Sequence, residues 1–125
     1  MARAMRRWAT PASVRSQVNP VQPNADVLAE ASAHFADHCA TCHSNDGSGD
    51  TAMGRGMYPK VPDMRTTPTQ SLTDGELFSI IEHGIRLTGM PGYGGNLTDP
   101  EMWQVSLMLL HADKLPASVQ AALRQ

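Results

Sequence analysis

Both cysteines of the chain belong to one five-residue run, Cys39-Ala40-Thr41-Cys42-His43. Thiols this close cannot staple a large loop, so they are not a disulfide framework. At a helix end, two thiols three positions apart can each add to one of two neighbouring vinyl groups on a porphyrin edge. The adjacent imidazole is then held beneath the iron as its proximal ligand. That is the chemistry of covalent c-type haem attachment, with His43 on the metal. A dithiol oxidoreductase would set its cysteine pair in a βαβ pattern. A zinc site wants further ligands, and the chain has no second cysteine pair, only the imidazoles of His34, His38, His83 and His111 besides His43.

Low-spin haem iron takes a sixth ligand, and electron carriers commonly use methionine there. Met53, Met57, Met64, Met90, Met102 and Met108 all follow the cysteine run. Met102 and Met108 fall in a helical core pattern, which accounts for them by packing. Met53, Met57 and Met64 lie close after His43 and suit lining a cofactor rather than ligating it. Met90 stands 47 positions after His43 in Gly89-Met90-Pro91-Gly92, where small and rigid neighbours fix the backbone without bulk. Met90 is therefore the expected distal ligand, and an open or labile sixth position is the alternative.

The elements that must hold these residues are helical. Asn24 is a plausible cap for a helix over about 25–38, in which Val27, Ala31 and Phe35 recur on one face. The cysteine run closes it. Residues 44–70 are rich in Gly and Pro and read as a long loop, a suspicious length unless a cofactor organises it. Asp46, Asp50 and Asp63 read there as turn formers. Thr73-Asp74-Gly75-Glu76 is a capping box opening a helix over about 74–83 that Gly84 stops. Thr98-Asp99-Pro100-Glu101 opens another over about 99–112, and Pro116 begins a last short one. No strand or repeat is predicted, so the fold class is all-α.

Composition bounds the rest. At 125 residues the chain is one domain's worth, with 41% hydrophobic and 18% charged residues, which is globular rather than disordered. No apolar stretch is long enough to span a membrane. A net charge of −2 argues against nucleic-acid binding. The charge is uneven: residues 1–24 carry four Arg and no acid, whereas residues 26–125 carry six Lys or Arg against twelve Asp or Glu. A basic arm or linker over 1–24 is thus expected before a domain over 25–125. The arm has no apolar core of the length an intact signal peptide needs.

Residues 26 to 112 resemble a class I (monohaem) cytochrome c domain, with the attachment run near the N-terminus and the methionine loop before the C-terminal helix. The resemblance implies three main helices plus a short C-terminal one packed around one covalent haem c, the first and last helices crossing. Ala31 and Phe35 match the first-helix positions of that crossing, with Trp103 and Leu107 as expected partners. It also implies a proline carbonyl accepting the proximal imidazole's second N–H, from Pro59 or, slightly favoured, Pro62. Arg55, Arg65, Arg86 and Tyr93 are candidate partners of the haem propionates.

The implied function is single-electron transfer through a haem bound by Cys39, Cys42, His43 and Met90. The domain would be a module or subunit of a respiratory or dehydrogenase chain, not an enzyme in itself. The alternative is a haem enzyme or gas sensor. Expected partners are redox proteins, membrane-bound ones among the options. The family implies a periplasmic or outward-facing location; because residues 1–24 hold no signal-peptide core, a signal or membrane anchor is expected upstream of this chain.

Overall fold

The structure is a computed structural model, described over residues 8–110. Its helices are α1 (Ala12–Arg15), α2 (Ala25–His38), α3 (Ala40–His43), α4 (Ala52–Gly56), α5 (Thr67–Gln70), α6 (Asp74–His83) and α7 (Asp99–Leu110). No strand occurs among the described residues, so the all-α expectation holds. The predicted loop over 44–70 is in fact broken by α4 and α5. Each is a single turn, too short to leave a periodic signal in sequence. The predicted end of the last helix and the short helix from Pro116 lie outside the described residues.

Local chemistry sets the helix ends. The Asn24 side chain accepts from the Val27 amide at 2.9 Å and caps α2. Thr73 and Glu76 form the reciprocal capping box of α6, each bond 3.1 Å. Gly84, with φ at +71°, ends that helix in a region where only glycine is unstrained. At the start of α7 the Thr98 hydroxyl donates to the Glu101 carboxylate at 2.9 Å and accepts from its amide at 3.4 Å. That differs from the expected reciprocal box, in which the carboxylate would meet the Thr98 amide.

The core lies where α2, α6 and α7 meet. Leu28, Ala31 and Phe35 from α2 pack with Leu77, Phe78 and Ile81 from α6 and with Met102, Val105, Met108 and Leu109 from α7. The first and last long helices of this frame are in contact, as the resemblance implies. Polar contacts join them from Glu101 to His34, from Gln104 to Glu30 and from Ser32 to Met108. Trp103 packs against the core and stacks on Phe78 of α6, ring centroids 4.1 Å apart.

The segment before α2 lies across the domain. Asn19 donates from its amide to Asp74 at 2.9 Å and from its side chain to the Trp103 carbonyl at 2.8 Å. The Val14 carbonyl sits so close to Gly75 that a Cβ there would stand 1.8 Å from its oxygen. Gly75→Ala is therefore expected to lift α1 off α6 with little change to the rest of the fold. Limited trypsin digestion at Arg15 should then quicken roughly tenfold, the ratio expected if opening becomes easier by about 1.4 kcal/mol. Equal cleavage rates in wild type and variant would refute this account of the contact.

Candidate functional site

The cysteine run sits between α2 and α4. The Cys39 amide continues the α2 ladder by donating to the Phe35 carbonyl at 2.9 Å. Ser44, at φ +65°, then turns the chain sharply after α3. The loop that follows folds back to hold the run's carbonyls. Gly49 donates to the His43 carbonyl at 2.8 Å and the Thr51 hydroxyl donates to the Cys42 carbonyl at 3.1 Å. Thr51 also accepts from Gly54 at 2.8 Å, capping α4. A Cβ on Gly54 would stand 2.6 Å from the Cys42 carbonyl oxygen, so only glycine permits this approach. Sequence reasoning missed Thr51 and Gly54. Their signal was the Asp-Thr-Ala-Met-Gly stretch inside the presumed loop, which carries a cap but too little periodicity for a helix.

Cys39 and Cys42 are free thiols. Burial, with the neighbouring Cys42 charge second, pushes the Cys39 thiol up to about 11. A dithiol oxidoreductase needs the opposite, a thiol lowered to favour the attacking thiolate. Nor does any group of three or more His, Cys, Asp or Glu side chains converge on one point among the described residues, as a zinc centre of that kind would require. His43 is largely buried, burial lowers its pKa, and its Nδ1 has no hydrogen-bond partner. Neither Pro59 nor Pro62 accepts from that nitrogen. The Pro62 carbonyl would be 3.1 Å from a Cβ on Gly49, whose amide holds the His43 carbonyl.

The Met90 loop is fastened to the same corner. The Tyr93 hydroxyl donates to the His38 carbonyl at 2.8 Å, one residue before Cys39. Burial, then the nearby Cys39 and Cys42, raises the Tyr93 pKa. Met90 itself is half-buried. Its carbonyl accepts from Ile85 at 3.2 Å, and its amide donates to the Thr88 hydroxyl, which in turn donates to the Ile85 carbonyl at 2.7 Å. The Met57 sulfur packs against Gly89, 3.0 Å from where a Cβ would stand. Met53 lies beside the run, the Cys42 thiol facing its sulfur at 3.6 Å. Met64, Met102 and Met108 are core residues, at most 8% exposed.

The residues present fit a covalently held haem. Two free thiols lie within four positions of an imidazole whose buried Nδ1 has no hydrogen-bond partner. A small cavity bounded by Phe35, Met64, Arg65, Met108 and Leu109 lies beside Asn45–Gly47. Among the candidate propionate partners, Arg65 is chelated by Asp63 through two bonds of 2.9 Å. Arg55 is paired with Asp50, and the Tyr93 hydroxyl is used as described. Arg86 is exposed and has no ion-pair partner among the described residues. His34 and His83 lie beside Glu101 and Glu82, at 3.6 and 2.8 Å, and His38 is edge-on to Tyr93. His111 lies outside the described residues. Asp46 and Asp63 accept from the amides of Ser48 and Arg65, as turn formers do.

No curated protein is a significant match to the sequence. Among solved structures, a chain of the reducing HAO-like protein complex of Kuenenia stuttgartiensis superposes with a TM-score of 0.64 at 18% identity. The superposition covers 73% of this chain and 46% of that one, so the present chain spans less than half of its length. At that identity the likeness is one of fold. The family described as cytochrome c oxidase, cbb3-type, subunit III matches residues 26–107. That stretch runs from the first turn of α2 into α7 and contains both cysteines. The chain therefore belongs to this family of monohaem class I cytochrome c domains, with one covalent haem c at its two-cysteine run.

Proposed function

We propose that the domain carries single electrons through a haem bound covalently by Cys39 and Cys42 and ligated by His43 and Met90. The observation that carries this reading is the bond from Tyr93 to the His38 carbonyl, which ties the Met90 loop to the residue preceding the attachment run. When bound, the haem supplies a one-electron iron couple. The rest is the work of the chain. The two thiols hold the group irreversibly, and a neutral imidazole from His43 is the form burial favours. A thioether from Met90 stabilises the reduced state and raises the potential. Thr88 and Ile85 hold the Met90 backbone, and Phe35, Met64 and Leu109 are buried in the apolar interior.

The haem domain proper is proposed to span 25–125, preceded by the segment 1–24. It would serve as a module or subunit of a respiratory or dehydrogenase chain, facing the periplasm or its equivalent, as a carrier rather than a catalyst. Among the described residues no helix is long and apolar enough to cross a membrane.

The test is an optical spectrum, oxidised and reduced, of protein coexpressed with c-type haem maturation machinery, with a denaturing gel stained for covalent haem. A haem-stained band and a low-spin spectrum with a thioether–ferric charge-transfer band are expected. A high-spin or carbon-monoxide-reactive wild type would transfer the assignment to a haem enzyme or gas sensor. Absence of covalent haem would overturn the proposal.

A further inference from the structure

The two proposed axial ligands stand on separate parts of the frame. His43 ends α3, directly after α2, whereas Met90 lies in the segment 84–95 that follows α6. That segment is moulded onto the end of α6. The Tyr93 amide donates to the Ile81 carbonyl at 2.9 Å, and the Gly94 amide to the Glu82 carbonyl at 3.1 Å. A Cβ on Gly84 would stand 2.6 Å from the Met90 carbonyl oxygen, and one on Gly92 would stand 2.6 Å from the Glu82 carbonyl oxygen. Contacts this close make the segment part of the end of α6.

Towards α2 the segment is held differently. Among the described residues one hydrogen bond joins 84–95 to residues 25–43, from the Tyr93 hydroxyl to the His38 carbonyl at 2.8 Å. Its acceptor belongs to the last turn of α2, whose carbonyls have no partner within the helix. The Tyr93 ring lies edge-on to His38 and against the core, so packing aims the hydroxyl. Local structure does not call for that hydroxyl. The backbone of Tyr93 supplies the local bonds, its carbonyl accepting from the amides of Asn96 and Leu97 at 2.9 and 2.8 Å.

We infer that Tyr93 is a positioning residue: its hydroxyl latches the Met90 segment to the attachment run and sets how readily the sixth position opens to an outside ligand. The inference rests on the His43–Met90 ligation proposed above and adds the control of that site. An outside ligand binds only the fraction of molecules in which Met90 has withdrawn, so its apparent affinity scales with that fraction. Losing one hydrogen bond made only in the latched form raises the fraction roughly three- to tenfold, the usual net worth of such a bond. Tyr93→Phe removes the bond and keeps the ring, its packing and the backbone bonds.

The test is titration of the oxidised holoprotein with imidazole, followed by the thioether–ferric charge-transfer band. Tyr93→Phe should lose the band at a roughly three- to tenfold lower imidazole concentration than wild type. On heating, its band should bleach further below the far-ultraviolet melt than the wild-type band does. Asn19→Ala is the control for stability alone. Asn19 bonds Asp74, at the far end of α6, and the Trp103 carbonyl. That variant should melt at a lower temperature with its imidazole midpoint unchanged. Equal midpoints in wild type and Tyr93→Phe overturn the latch and leave the ligation standing. A matching shift in Asn19→Ala overturns it as well, because ligand lability would then follow general stability. A wild type with covalent haem and no charge-transfer band overturns the His43–Met90 reading, and the latch with it.

Discussion

Met90→Ala is expected to abolish the thioether–ferric charge-transfer band and to lower the reduction potential by about 0.2 V or more. Axial ligands command a span of about 0.8 V in haem proteins, and methionine opposite histidine lies towards its upper end. Removing a thioether that stabilises the reduced state, and admitting water or hydroxide in its place, should forfeit a substantial part of that range. Thr88 and Ile85 hold the loop through backbone atoms and a hydroxyl, so the fold around position 90 should survive truncation. Met57→Ala is the control, because Met57 packs on Gly89 of the same loop. It should keep the band and shift the potential little. Redox titration with the oxidised spectrum distinguishes the two. If Met57→Ala removed the band and Met90→Ala kept it, the distal ligand would be reassigned.

Phe35→Ala should lower the stability of the holoprotein by about 3–5 kcal/mol, the usual cost of emptying an aromatic site in a packed core. Phe35 is 1% exposed, lies on the α2 face turned to the core, and borders the cavity after His43. Its removal enlarges that cavity instead of letting the helices close on it. For a domain of this size the loss corresponds to a fall in Tm of roughly 15 °C or more. Val18→Ala, at a position 79% exposed, should leave Tm within a few degrees. Denaturant melts of the two variants decide the matter. A Phe35→Ala cost below about 1 kcal/mol would mean that the haem, rather than the helix contact, carries the core.

The chemistry was legible because covalent attachment needs a fixed local spacing. Cys39, Cys42 and His43 are adjacent in sequence for the same reason that they are adjacent in space, since one turn of chain must present all three. Helix starts were legible for a similar reason. Asn24, and Thr73 with Glu76, satisfy backbone donors within three residues of themselves, so the cap is written where it acts. The long helices α2 and α6 follow their sequence signals closely, because periodic apolar positions accumulate over ten or more residues.

Single turns and long-range contacts were not legible. The short helices α4 and α5 lack the length to show a period, and their reading as loop fails for that reason. That the Trp103 indole stacks on Phe78 depends on how far α7 is rotated about its axis, which no local pattern encodes. The pairing of Arg55 and Arg65 with Asp50 and Asp63 likewise depends on loop geometry, so sequence left all four propionate candidates open. By itself the sequence determined the helical class, the haem-attachment run and a methionine at position 90 as the expected ligand, because each is a local pattern of residue types. The tertiary structure decided that Tyr93 brings the Met90 loop to the cysteine run, and that Met57 packs on Gly89 of that loop. Those are contacts between residues tens of positions apart, and only the packed helices bring them within reach.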